Sequence, residues 1–200
     1  MNKEFWNERY GQHPTVYGDE PNEFFKEQLQ SLTPGKLLLP AEGEGRNAIY
    51  AASLGWKVTA YDFSEVAKAK TLARAASLGI TSIEYEVEDL GKIKLPEEEF
   101  NAVALIYVHL PVEVRRHLHQ ECKKSLKSGG KIIFESFSKD QLKYNTGGPK
   151  DRALLHSISD LKADFEDLQI GVLQEKLIEL KEGPFHSGPA SVVRLVASKI

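Results

Sequence analysis

Two glycines separated by one residue, Gly43 and Gly45, follow directly on the apolar run Leu37-Leu38-Leu39-Pro40. A second apolar stretch, Val58-Thr59-Ala60-Tyr61, ends in Asp62, about 20 residues beyond the loop, the distance at which an acid meets a ribose in such folds. A carboxylate accepts hydrogen bonds from both hydroxyls of a ribose, and as a charged acceptor it makes strong ones. The glycines let the backbone approach a ligand where a side chain would stand. In this order, loop then acid, the residues are suited to gripping a nucleoside at the edge of an α/β sheet.

Further candidates lie at the ends of later apolar runs. Glu88-Asp89-Leu90 closes the third and Tyr107-Val108-His109 the fourth. Ligands of open α/β sheets sit outside the carboxyl ends of the strands, where the strand order reverses. There His109 contacts a substrate, acts as a base or caps the helix that Pro111 opens, and the spacing leaves all three open. Arg46 aims at a substrate anion or the flap, or lies at the surface. His117 and His119 fall on a polar helix face and are expected in solvent. Cys122 shares a helical stripe with Val114, Leu118 and Leu126 and reads as a small core hydrophobe. No trio of these histidines with carboxylates has metal-site spacing, so no metal is expected.

The elements that must position these residues follow from hydrophobic periodicity. Strands are expected over residues 36–39, 57–61, 82–87, 101–108 and 131–137, with helices over 47–54, 64–78 and 111–126 between them. Their alternation implies a parallel sheet with right-handed crossovers. Before the first strand, residues 2–10 read as a short helix, and Asn22 caps another with Phe24, Phe25, Leu29 and Leu32 at helical spacing. Residues 141–152 form a polar, glycine-containing segment expected to be a mobile flap, and 159–165 a short helix. Residues 171–180 and 190–198 read as two long strands around the turn 182–189, an antiparallel pair closing the sheet. One domain is expected over 1–200: a helical lid (1–34), a ligand-binding core (35–138), and a flap with the hairpin (139–200).

A net charge of −3 gives no general attraction to nucleic acid or anionic membrane. The single cysteine excludes an intramolecular disulfide and any multi-cysteine metal site. No apolar run approaches the ~20 residues needed to span a bilayer, and the first ten residues lack the apolar core of a secretory signal. A cytoplasmic location is expected. No basic stripe with interleaved aromatics points to RNA or DNA. Monomer and homodimer are both open.

The order of strands and motifs resembles the class I S-adenosylmethionine-dependent methyltransferases over nearly the whole chain. Phe5-Trp6-Asn7-Glu8-Arg9-Tyr10, Tyr17-Gly18, Glu20-Pro21-Asn22 and Gly43-Glu44-Gly45-Arg46-Asn47 are similar to the tellurite-resistance and thiopurine methyltransferase-like group. So is the tail Gly183-Pro184-Phe185-His186 with Val193-Arg194-Leu195. The resemblance implies an α/β, Rossmann-like, doubly wound seven-stranded mixed sheet, mostly parallel with one antiparallel strand in the C-terminal hairpin. It implies S-adenosyl-L-methionine as cofactor and in-line methyl transfer to a small molecule, such as a thiol or a chalcogen oxyanion. By the same resemblance, Asp62 holds the ribose, Phe63 and Ser64 adjoin the adenine face, and Glu88, Asp89 and Leu90 meet the adenine edge. Glu42, Gly43 and Gly45 adjoin the methionine arm, and Tyr17 and Tyr107 the methyl-donor end. His109, His186 and Arg194 become the candidates for catalysis on the acceptor side.

One departure stands out. The family's acid at the end of the first strand is here Leu39, followed by Pro40, and the Cys of its glycine turn is Glu42. Either Glu42 or Glu44 substitutes for the acid, or Glu42 repels the methionine carboxylate. This departure motivates a rival reading, a non-catalytic cofactor- or partner-binding domain. A nicotinamide-dependent oxidoreductase is the other rival, though its third glycine would fall at Ala48 or beyond.

Overall fold

The computed structural model describes residues 3–183 and 185–200. Strands β1 (Lys36–Pro40), β2 (Lys57–Asp62), β3 (Ile83–Val87), β4 (Phe100–Ile106), β5 (Leu126–Phe137), β6 (Gln169–Lys181) and β7 (Ser187–Ser198) form one sheet. Their order is β3-β2-β1-β4-β5-β7-β6. Every neighbouring pair is parallel except those of β7, which runs antiparallel to both β5 and β6. The helices are α1 (Lys3–Gln12), α2 (Glu23–Gln30), α3 (Arg46–Ser53), α4 (Glu65–Ser77), α5 (Val112–Ser125) and α6 (Ile158–Asp164). The expected seven-stranded mixed sheet with one antiparallel strand is the observed fold. The expected first-helix residue Asn2 and Pro184 of the hairpin turn lie outside the described residues.

Because successive side chains of a strand point to opposite faces, the three leucines of β1 serve two cores. Leu37 and Leu39 pack with Phe25 of α2, Ala48 of α3 and Ala75 of α4. Leu38 packs on the other side with Leu118 and Cys122 of α5, Leu161 of α6 and the following Phe165. Both faces of the central strands are covered, as parallel strands require. Truncating any of these leucines to alanine is expected to cost about 2–5 kcal/mol. Helix starts follow local chemistry. Asn22 accepts from Phe25 N–H, Ser64 from Ala67 N–H, and Ser157 with Asp160 makes a reciprocal capping box.

Four expectations change. β4 stops at Ile106 because Tyr107 turns into the left-handed region, at φ 55°. The segment 141–152, expected as a mobile flap, is stitched down. The Gln141 amide donates to Thr146 Oγ1 (3.1 Å) and Gly147 O (3.2 Å), and its oxygen accepts from Ser191 N–H (2.8 Å). His119, expected in solvent, is buried where α6 crosses α5. Its Nδ1 lies 2.9 Å from Asp164, which also accepts from Arg115 Nε at 2.8 Å. His117 too is engaged, with Nε2 2.8 Å from Ile93 O.

Candidate functional site

The glycine loop leaves β1 through Ala41, Gly43 and Gly45, all at positive φ (56°, 65° and 78°). That path turns Gly43 N–H toward Asp62 at the tip of β2, with Oδ2 accepting at 3.0 Å, while Oδ1 accepts from Ser64 N–H at 2.9 Å. The Asp62 carbonyl accepts from Glu88 N–H at 3.0 Å. Asp62 thus ties together the ends of β1, β2 and β3. Burial pushes its carboxyl above the usual value, and the amides of Ser64, Gly43 and Phe63 work against that rise. A carboxylate has about four acceptor positions; Gly43 and Ser64 N–H occupy two at hydrogen-bond distance and the Phe63 amide lies close by.

Each glycine has its own neighbour. A Cβ on Gly43 would stand 2.6 Å from the Tyr10 hydroxyl, and one on Gly45 would overlap the Thr71 side chain of α4. Gly43 O accepts from the Tyr85 hydroxyl (2.6 Å) and Thr71 Oγ1 (3.3 Å). Ser64 caps α4 and its hydroxyl donates to Asn7 Oδ1 at 2.7 Å, so it presents its backbone rather than its side chain. Phe63 is half-buried, Leu90 buried and Glu88 exposed. Asp89 Oδ1 accepts from Gly91 N–H at 2.9 Å, shaping the turn after β3.

Glu42 folds back onto the first turn of α3. One oxygen accepts from Ala48 N–H at 2.8 Å, and the other lies 3.4 Å from the Asn47 amide nitrogen. Burial raises its carboxyl to about 7 against these hydrogen bonds and the Arg46 charge. Leu39, at the place of the usual acid, is in the core.

Helix α1 covers this crevice. Tyr10 is buried over Gly43, and Trp6 stacks on it at 5.5 Å between ring centres. Lys70 of α4 donates to the carbonyls of Tyr10, His13 and Pro14 and pairs with Glu44 at 2.9 Å. Glu44 also accepts from Val16 N–H at 2.7 Å. The sequence places Tyr10 four residues from Trp6, on a helix face that packs down; the structure adds that its hydroxyl closes over Gly43.

A second cluster, at the carboxyl ends of β4 and β5, gathers residues from distant parts of the chain. Arg46 pairs with Glu182 at 2.8 Å and donates to the carbonyls of Tyr17 (3.3 Å) and Glu20 (3.4 Å). His186 Nδ1 lies 3.4 Å from the same Glu182 carboxylate. Asn22 bridges Glu182 (3.0 Å) and the fully buried Glu135 (2.6 Å). Glu135 is ion-paired with Arg194 and accepts from the Tyr107 hydroxyl at 3.2 Å. Burial works against the Glu182 charge, but His186 and Arg46 hold its carboxyl down at about 2. The rings of Tyr17, Tyr107 and Phe137 stand 4.6, 4.7 and 5.1 Å from the His186 ring. His109 Nδ1 is 2.9 Å from Leu154 O and its Nε2 is 3.2 Å from Ser136 Oγ; burial lowers its pKa to about 4. A cavity of about 350 Å³ lies between residues 17–23, β6, Glu135 and Arg194. Sequence reasoning missed Glu135 and Glu182. A lone acid in the apolar run Ile132-Ile133-Phe134-Glu135 was the signal for the first; nothing local marked the second.

Among the described residues no cluster of three or more His, Cys, Asp or Glu could hold a metal, and no helix is long and apolar enough to cross a membrane.

A sheet ordered 3-2-1-4-5-7-6, with a glycine loop after β1 and a buried acid ending β2, is an α/β Rossmann-like methyltransferase fold. Residues 40–130 match the family model described as a methyltransferase domain. No curated protein sequence matches the chain. Among solved structures, TehB from Haemophilus influenzae shares 19% identity at a TM-score of 0.76, over 90% of this chain and 63% of that one. This chain therefore spans less than two thirds of that relative. The structure titled for conversion of a disulfide bond into a thioacetal group during echinomycin biosynthesis shares 20% identity at 0.75, over 98% and 92%. Geranyl diphosphate C-methyltransferase from Streptomyces coelicolor A3(2), solved with Mg2+, geranyl diphosphate and S-adenosyl-L-homocysteine, shares 14% at 0.68, over 99% and 96%. Residues 40–130, a little under half of the chain, thus match a methyltransferase domain, and the whole sheet has the fold of these solved structures.

Proposed function

We propose that the protein transfers the methyl group of S-adenosylmethionine to a small, soft nucleophile, a thiol or a reduced chalcogen, by direct in-line displacement. The observation that carries this reading is the ring of Tyr17, Tyr107 and Phe137 around His186, beside arginines already engaged by carboxylates. Arg46 of α3 and Arg194 of β7 are each paired with a carboxylate, Glu182 and Glu135. That leaves neither of them for an oxyanion. His109 has both ring nitrogens engaged and its basicity lowered by burial. His186 is likewise lowered by burial, against the pull of Glu182. A hydroxyl or amine acceptor would require a base tuned near the working pH; a thiol ionises far more readily.

The cofactor supplies an electrophilic methyl on a sulfonium. Asp62 is assigned to the ribose hydroxyls, with Gly43 and Gly45 giving the backbone clearance. Phe63 and Leu90 flank the base, and Asp89 accepts from its amine. Tyr17, Tyr107 and Phe137 wall the reacting centre and exclude water, so that alignment provides most of the rate. A thiol held there would lose its proton to solvent and take the methyl as the sulfonium bond breaks, giving a thioether and the demethylated cofactor.

A second reading, a binding domain without turnover, is favoured by one observation: Tyr10 closes over Gly43. Calorimetric titration with S-adenosylmethionine, followed by mass spectrometry of a panel of thiol, chalcogenide, hydroxyl and amine acceptors, separates the two. Methylated thiol or chalcogenide products are the expected result. Binding with no product from any acceptor favours the second reading, and methylated amines alone overturn the acceptor class.

A further inference from the structure

Strand β1 brings no charge to the crevice, since it ends in the buried Leu39 and in Pro40. Three carboxylates surround Gly43. Glu44 is paired with Lys70 and fixed to Val16 N–H. Asp62 takes a backbone amide on each oxygen and, in the reading above, the ribose hydroxyls. Glu42 makes no ion pair among the described residues. Its shortest side-chain hydrogen bond comes from Ala48 N–H, the Asn47 side chain approaches only to 3.4 Å, and the Arg46 charge acts on it without an ion pair. A buried carboxylate without a cation is costly to keep charged. The ligand assigned to this crevice carries an ammonium group on its methionine arm. We propose that Glu42 receives that ammonium, taking the role that Leu39 leaves without a charge. The inference rests on the methyltransferase reading and adds to it a linkage between cofactor binding and protonation.

The linkage has a definite sign. In the free protein burial sets the Glu42 carboxyl at about 7, so near neutrality the group is partly neutral. A bound cation favours the charged form, so binding expels a proton and strengthens as pH rises toward 7. Asp62 faces the same space from β2, Glu44 from the loop, Tyr10 from α1, Tyr85 from β3 and Arg46 from α3. Both tyrosines are held well above their usual value by burial and stay neutral in this range. Asp62 is raised by burial and is the one other group that could answer with a proton; substitution at 42 separates the two.

Glu42→Gln keeps an acceptor for Ala48 N–H and removes only the charge. Calorimetry in two buffers of different ionisation enthalpy, between pH 6 and 7.5, reads both affinity and proton release. The probes are S-adenosylmethionine, S-adenosylhomocysteine and 5′-methylthioadenosine, which lacks the amino-acid arm. The wild-type protein is expected to release a fraction of a proton with the first two ligands and none with the third. E42Q is expected to bind the first two ~10- to 100-fold more weakly, the loss of one charged hydrogen bond, and to release no proton. It should bind 5′-methylthioadenosine as the wild type does. Unchanged affinity for the armed ligands in E42Q overturns the assignment. A parallel loss for 5′-methylthioadenosine also overturns it, because Glu42 would then act by holding the loop. If no adenosyl ligand binds the wild type, the methyltransferase reading falls and the assignment falls with it.

Discussion

Tyr107 holds a φ of 55° with a full aromatic side chain, a conformation that costs a non-glycine residue about 1–3 kcal/mol. It persists because both ends are tied: its N–H donates to Glu135 O at 2.8 Å and its hydroxyl meets the Glu135 carboxylate. Such over-determined residues cluster where geometry matters for a ligand. Asp62 is constrained in the same sense. An asparagine there would face either Gly43 N–H or Ser64 N–H with its own NH2. Asp62→Asn is therefore expected to lower stability by about 1–3 kcal/mol, read by urea unfolding, and to weaken S-adenosylmethionine by ~10-fold or more, read by calorimetry. Glu182 gives a pH test. Its folded pKa of about 2 lies below the ordinary carboxylate value, so its contribution is present above about 4.5 and lost as pH falls toward 2. From the size of that shift the contribution is ~3 kcal/mol. Glu182→Gln should be less stable than wild type by about that amount at pH 7, and the gap should close between pH 4.5 and 2. A constant gap across that window would refute it. The Gly43–Asp62 relation was legible in the sequence because one loop and one strand end define it. The Asn22–Glu182 and Arg46–Glu182 contacts join residues 160 and 136 positions apart, and no local pattern encodes such a pair.

Among the elements, α1 is the one whose position has to change. Tyr10 fills the approach to Gly43, and Lys70 holds the segment from Tyr10 to Pro14 through three carbonyls. Entry of a ligand as large as a nucleoside requires that clasp to open. Lys70→Ala is expected to lower amide-exchange protection over α1 and to speed cofactor association, read by stopped-flow fluorescence of Trp6, which stacks on Tyr10. Equal association rates would place the entry path elsewhere. The helices and strands were legible from periodicity, mostly to within a residue or two of their ends, except that β5 begins at Leu126. The looseness assigned to residues 141–152 was not. Polar and glycine-rich composition described the segment correctly, but Gln141 reaches across to Ser191, 50 residues on, and fastens it. The error over His119 has the same source, since its partner Asp164 is 45 positions away and on another helix.

At the scale of the molecule, the two cores share one sheet, and Asn22 and Arg46 cross-link the expected lid, core and hairpin segments. We propose that the chain unfolds as one unit. The calorimetric and van't Hoff enthalpies should then agree, and two separated transitions would show independent parts. Ligand linkage gives a matching prediction. At a free S-adenosylmethionine concentration of 100 times its Kd the stabilisation is ~2.7 kcal/mol. For a domain of this size that corresponds to a rise in Tm of about 5–11 °C. Adenosine-free methionine at the same concentration should leave Tm unchanged.

The placement of β7 reaches beyond the finished structure. β6 touches the sheet only through β7, which inserts between it and β5. While the chain is being synthesised, β5 has no partner on that edge until residue 198 clears the ribosomal exit tunnel, although Ile132, Ile133 and Phe134 are already made. An open apolar edge invites pairing with other nascent chains. A chain whose β7 has not yet docked is therefore expected to associate with others more readily than one whose β7 has, read by light scattering during refolding.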